Sequence, residues 1–315
     1  MTSALALQGP TLDATMRDTF ALTVDRLLDE DPRLAVVLAD ISYAALKPAR
    51  ERHPHRVINL GIREQLLISV TGGLALAGLR PVAHTFPSFL VERAFEQIKL
   101  DLGHQDVGAV LVSAGGSYDM TRAGRTHQAP GDVALIDTLP GWTVYVPGSP
   151  AEAELFLRRA IARDDRVYVR LSAQANTESY VDPERPDDIR IVRRGRRGVV
   201  LAVGPMLERV LAATAGIDVT VAYAATVRPL DGGGLRQAVL AADRADVVLV
   251  EPYLTGTSTY LIDAALEDLP HRVRSLGVSR EAELRMYGDL ADHDAAHGLD
   301  QHSIAASVGA FLRYA

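Results

Sequence analysis

Two kinds of segment alternate along this chain, and that alternation constrains its fold more than any other feature. Apolar, β-rich runs of four to seven residues stand at 34–39, 57–60, 80–85, 107–113, 143–146 and 167–171. Segments of helical period lie around them at 16–28, 64–79, 93–102 and 151–163. The run at 107–113 lacks polar alternation, as a strand covered on both faces does. Such an order builds a parallel sheet with helices on its faces. A second series follows, with strands expected at 198–204, 219–224, 247–251 and 273–277 and helices at 206–215, 234–242, 258–267 and 303–311. Between the two series, Pro183, Pro186 and several acidic residues precede Arg193, Arg194, Arg196 and Arg197. This stretch reads as a linker holding a short strand near 189–192, with the arginines as a solvated face. The expected class is α/β, with two doubly wound, mostly parallel-sheet domains at 1–180 and 198–315 joined by a linker at 181–197.

Composition narrows the chemistry. The chain has no cysteine, which excludes a thiolate zinc site, an iron–sulfur cluster and a thiol nucleophile. Its net charge of −7 argues against nucleic acid as a partner. The longest uncharged apolar stretch, 66–79, has 14 residues, short of the ~20 that span a bilayer. The first apolar run, 4–7, follows no basic residue. A cytoplasmic protein without a membrane partner is expected.

Three segments carry candidate chemistry. In Asn59-Leu-Gly-Ile-Arg-Glu-Gln65 a strand ends, a glycine turns, and Glu64 stands in the first turn of a helix. Its carboxylate either faces the helix dipole or forms a buried acid that bonds a ligand nitrogen. In Thr85-Phe-Pro-Ser-Phe89, Phe86 and Phe89 follow a strand end, where α/β folds place ligands and a ring can stack on a heteroaromatic. A long Gly/Ser-rich loop after the strand at 107–113 ends in Thr126-His-Gln128, and His127 there can act as acid or base.

Together these segments resemble the pyrimidine-binding half of transketolase and, more broadly, of 1-deoxyxylulose-5-phosphate synthase. The resemblance rests on Gly-Ile-Arg-Glu-Gln at 61–65, Thr-Phe-x-x-Phe at 85–89, Arg-Ala-Phe-Glu-Gln at 93–97 and Gly-x-Thr-His-Gln at 124–128. It continues through Val227-Arg-Pro-Leu-Asp231 and Val250-Glu-Pro252 to Gly298-Leu-Asp300, nearly the whole chain. It implies thiamine diphosphate as cofactor. By resemblance Glu64 binds the aminopyrimidine N1′ and helps remove the thiazolium proton, while Phe86 and Phe89 line the ring pocket. Asp40 and Arg93 join the cofactor-binding set. His127, Gln128, Arg17 and Arg122 join the substrate-binding set, with Glu64 and His127 catalytic.

Two departures from the family shape the expectation. The Gly-Asp-Gly signature that holds diphosphate and metal in the amino-terminal half is missing: Gly131-Asp132 and Gly288-Asp289 are not followed by glycine. The diphosphate and Mg²⁺ ligands are expected from a partner chain carrying that motif, in a split enzyme whose two kinds of chain pair as an α2β2 heterotetramer; no metal ligand is expected here. The phosphosugar pattern is also broken, since Gly115, Ala123 and Ala173 stand where such enzymes carry His, Asp and Arg. The expected reaction is transfer of a two-carbon ketol unit from a ketose-type donor to a carbonyl acceptor other than an ordinary sugar phosphate, unless Arg122 or Arg125 rebuilds a phosphate site. The alternative is the beta subunit of a 2-oxoacid dehydrogenase, or a deoxyxylulose-phosphate-synthase-like enzyme.

Overall fold

The structure is a computed structural model and describes residues 15–281 and 283–313. In chain order its strands are β1 (Leu34–Leu38), β2 (Val57–Asn59), β3 (Arg80–Thr85), β4 (Val110–Ala114), β5 (Trp142–Tyr145), β6 (Arg166–Leu171), β7 (Arg190–Arg193), β8 (Val199–Val203), β9 (Thr220–Ala224), β10 (Thr226–Arg228), β11 (Asp246–Leu254) and β12 (Arg272–Val278). They form a seven-stranded sheet, β10-β5-β6-β4-β3-β1-β2, and a five-stranded sheet, β12-β11-β8-β9-β7. Pairing is parallel except at two edges, where β10 runs antiparallel to β5 and β7 antiparallel to β9. The α/β class with two mostly parallel sheets is as the alternation requires.

Burial explains the parallel order. Every residue of β1, β4 and β8 is buried, so helices must cover both faces. The helix Met16–Glu30 is set by a capping box: Thr15 Oγ1 accepts from the Asp18 N–H, and Asp18 accepts from the Thr15 N–H. Its buried stripe includes Met16, Phe20, Val24, Leu27 and Leu28, the spacing of an amphipathic helix. The helix Pro150–Ile161 packs beside it.

Three expectations change. The helix over 93–102 is broken, with wide i→i−5 turns at Ser88–Glu92 and Ile98–His104 around a short α-turn, Phe95–Gln97. β4 begins at Val110, not 107, because Gly108 crosses another segment: a Cβ there would lie 1.9 Å from the Asp164 carbonyl oxygen. β10 lies inside the second series yet completes the first sheet, so the two units share an edge.

Chain direction reverses between β1 and β3. From β1 the chain moves outward to β2; from β3 it moves the other way to β4. A parallel sheet opens a crevice at that switch point, beyond the carboxyl ends of its strands.

Candidate active site

The crevice is a cavity of about 650 Å³. Loops leaving four adjacent strands line it: Asp40, Ile41, Ser42, Ala44 and Ala45 after β1, Phe86 after β3, Gly115, Asp119 and Met120 after β4, and Ser172 and Ala173 after β6. Thr15, Arg17 and Asp18, at the start of the first helix, close one side. Asp40 and Ser42 hold left-handed backbone, with φ of 62° and 61°. Non-glycine residues adopt it where surrounding bonds fix them, a feature of ligand sites. For Asp40 the bonds are reciprocal: its N–H donates to Asn59 Oδ1 and its Oδ1 accepts from Asn59 Nδ2, both at 3.0 Å.

A hydrogen-bond chain beneath the cavity fixes Arg17. His84 is fully buried, and desolvation, with Arg17 nearby, pushes its imidazole down to about 3, so it is neutral. Its Nδ1 lies 2.9 Å from the Val112 carbonyl oxygen, which can only accept, so Nδ1 carries the proton. The bare Nε2 accepts from Ser42 Oγ at 2.9 Å, and Ser42 Oγ accepts from Arg17 Nε at 3.0 Å. The guanidinium is thereby anchored by one edge at the rim.

A second cluster adjoins the cavity through Phe86. Glu64, at the first position of the helix Glu64–Leu76, is 1% exposed, and its Oε2 accepts from Arg93 Nη1 at 2.7 Å. The Arg93 guanidinium lies 4.1 Å over the Phe89 ring centroid, a cation–π contact. Phe89 meets the His127 ring edge-on at 5.0 Å, His127 meets Phe86 at 5.9 Å, and Phe86 meets Phe89 at 6.1 Å. The wide turn at Ser88–Glu92, with the Arg93 N–H donating to the Ser88 carbonyl, sets this alignment. Glu64 is therefore an ion-paired carboxylate and not a lone acid in an apolar pocket. His127 is half-buried, its Nδ1 3.0 Å from Thr126 Oγ1.

The structure thus joins Glu64, Arg93, Phe89, His127 and Phe86, and places Arg17 and Asp40 around the adjoining cavity. Arg122 is exposed on a shallow pocket that shares Asp119 and Met120 with the cavity. Gln128 lies apart: it lines a smaller pocket facing Val278 and His297, and its buried Nε2 has no partner among the described residues. The sequence reading did not single out Ser42, His84, Asp119 or Ser172. The one signal for Asp119 was its place in the Gly/Ser-rich loop. His84 sits inside a strand, where periodicity marks only packing.

Comparison with known proteins agrees with this architecture. Residues 13–178 match the family model described as the transketolase pyrimidine-binding domain. An "uncharacterized 33.6 kDa protein in fasciation locus" of Rhodococcoides fascians is 52% identical over 297 residues, covering 94% of this chain and 95% of that one. One of the subunits of the apulose-4-phosphate transketolase of Actinobacillus succinogenes is 28% identical over 284 residues, 86% of this chain and 90% of that one. A solved structure described as a split gene transketolase, inactive beta4 tetramer, superposes with a TM-score of 0.81 at 25% identity, covering 95% of this chain and 98% of that one. The chain belongs to the transketolase family and corresponds to the carboxy-terminal, pyrimidine-binding subunit of a split transketolase-like enzyme.

Proposed function

We propose that this chain, together with an amino-terminal-type partner, forms a thiamine-diphosphate-dependent enzyme. The enzyme transfers a two-carbon ketol unit from a ketose-type donor to a carbonyl acceptor other than an ordinary sugar phosphate. The observation that carries the reading is the contiguous set Glu64, Arg93, Phe89, His127 and Phe86 beside the switch-point cavity. It fits the aminopyrimidine half of the cofactor, because a buried carboxylate can accept from a ring N–H while aromatic rings flank the heterocycle. When bound, thiamine diphosphate supplies the carbon nucleophile that carries the two-carbon unit.

The chain's own residues bind, orient and move protons. Glu64 holds the proton at the pyrimidine nitrogen, and Arg93 neutralises it from the other side. Phe86 and Phe89 exclude water from the ring. His127 stabilises the substrate oxygen and takes or gives its proton. The reading assigns the diphosphate and Mg²⁺ ligands to the partner chain. The exposed apolar face next to Glu64, where Ile62, Leu66 and Leu76 are 68%, 43% and 62% exposed, supports self-pairing within an α2β2 complex. The choice of acceptor rests on charge: among its described lining residues the cavity carries one guanidinium, Arg17, against the carboxylates of Asp18, Asp40 and Asp119. A phosphate dianion would meet net repulsion there.

Calorimetric titration of thiamine diphosphate with Mg²⁺ tests the split reading. Micromolar binding is expected only when the partner is present. Micromolar binding by this chain alone overturns it.

A further inference from the structure

The loop after β6 sets donors around one carboxylate belonging to the chain itself. Asp119 Oδ2 accepts from the Ala173 N–H at 2.7 Å. The side chains of Ser172 and Gln174 stand near enough to favour its charged form. Gln174 is oriented for the task, since its Oε1 accepts from Arg209 Nη2 at 2.8 Å and its amide N–H groups remain for Asp119. Asp119 is half-buried and borders the cavity with Gly115 and Met120. The nearby Arg170 guanidinium gives its Nε to Asp132 at 2.8 Å and its Nη2 to Ser117 at 2.7 Å, and its buried Nη1 has no partner among the described residues, so the bond to Asp119 comes from a neutral donor. Desolvation pushes the Asp119 carboxyl up to about 6, against those donors and Arg170. The group is still ionised at neutral pH.

A ligand phosphate or sulfonate entering here would need the same donors, and it would meet a fixed negative charge already bonded to them. Backbone N–H, hydroxyl and amide donors gathered on one point are what an anion site requires, and in this molecule the anion is covalently part of the loop. We propose that Asp119 is a resident anion that occupies these donors, excludes phosphorylated and sulfonated substrates, and presents its carboxylate to a hydroxyl of a neutral polyhydroxy carbonyl compound. This inference deepens the transferase reading above and rests on it for the hydroxyl contact. The Ala173 N–H bond to Asp119 stands apart from that reading.

The test uses D119S, which vacates the position, and D119N, which removes the charge while keeping an oxygen for the Ala173 N–H. Inorganic phosphate is first titrated into the full chain by calorimetry. D119S is expected to bind in the low-millimolar range and the wild type at least tenfold more weakly. In the reconstituted two-chain enzyme, the kcat/KM ratio of ribose 5-phosphate to ribose is expected to rise at least tenfold in D119S and in the same direction in D119N. Equal phosphate affinity in wild type and D119S overturns the proposal. So does a parallel fall for both sugars, which would make Asp119 a fastener of the loop only. If the complex transfers no two-carbon unit at all, the transferase reading fails, while the phosphate titration still decides the role of Asp119. Should D119S fail to fold, D119N carries both measurements.

Discussion

At the residue scale, the pair Glu64–Arg93 carries most of the proposed chemistry. A carboxylate 1% exposed would be costly alone, and the 2.7 Å bond to Arg93 offsets its desolvation. Gln at position 64 can still accept from Arg93, so the fold should hold, but an amide cannot exchange a proton with a ring nitrogen. Glu64→Gln is therefore expected to lower turnover of the reconstituted enzyme by about 10²–10⁴ with an unchanged melting temperature. Turnover close to wild type at saturating cofactor would remove Glu64 from the mechanism. Glu64 was legible because a carboxylate in a helix's first turn after a strand and a glycine is a local pattern. Arg93 was singled out as well, but its pairing with Glu64 was not, since the two lie 29 positions apart and meet only through tertiary packing. Asp119 was hidden for the same reason: the donors that define it come from the loop after β6.

At the scale of elements, strands were read well where both faces are covered, as at Leu34–Leu38, because a continuous apolar run leaves little choice. Three short helices were missed, Lys47–Arg52, Asp132–Asp137 and Leu290–His297. So few residues give too few turns for a period to show. The broken helix after β3 could not be foreseen, since the wide turns that rotate Phe89 and Arg93 into line carry no composition of their own. The helix Glu64–Leu76 makes a sharper claim through its paired glycines. A Cβ on Gly72 would lie 2.6 Å from the Asp101 carbonyl oxygen, whereas one on Gly73 would meet none of the described residues within 4 Å. Gly72→Ala should push this helix off the turn at Ile98–His104 and destabilise by about 1–3 kcal/mol. Gly73→Ala should stabilise by up to about 1 kcal/mol through helix propensity. Thermal melts of the two variants should shift in opposite directions; shifts of the same sign would mean that the helix does not pack on Asp101 this way.

At the scale of the whole molecule, the second sheet acts as a buttress for the loops of the first. Ser117 donates to the Pro252 carbonyl, Leu254 N–H donates to the Pro130 carbonyl at 2.8 Å, and Tyr118 donates to Asp294 at 2.6 Å. Arg209 ties Asp294 and Gln174 together, and Arg228 pairs with Asp137 across the same junction. The loop carrying Asp119 and His127 is thus positioned by the unit that lacks Glu64, Phe86 and Phe89, which gives that unit a physical reason to belong with the first. Stability is also expected to depend on pH through Glu251, a fully buried carboxyl on β11. Its Oε2 accepts from the Ser258 N–H and its Oε1 from Ser275 Oγ, both at 3.2 Å. Desolvation outweighs these bonds and the attraction of Arg228, and pushes the group up to about 7 from 4.5. Between those two values the folded state holds a proton that the unfolded state has released. Stability contributed by this group is therefore fully present below pH 4.5, declines as pH rises toward 7, and is flat above. A shift of this size corresponds to about 3 kcal/mol. Other carboxylates titrate over the same range, so the informative quantity is the difference between Glu251→Gln and wild type. That difference, from urea unfolding at several pH values, should move in favour of the variant by about 3 kcal/mol between pH ~4.5 and pH ~7.5. A difference independent of pH would show that Glu251 is not a desolvated carboxyl, and that its surroundings on β11 are wetter than their packing requires.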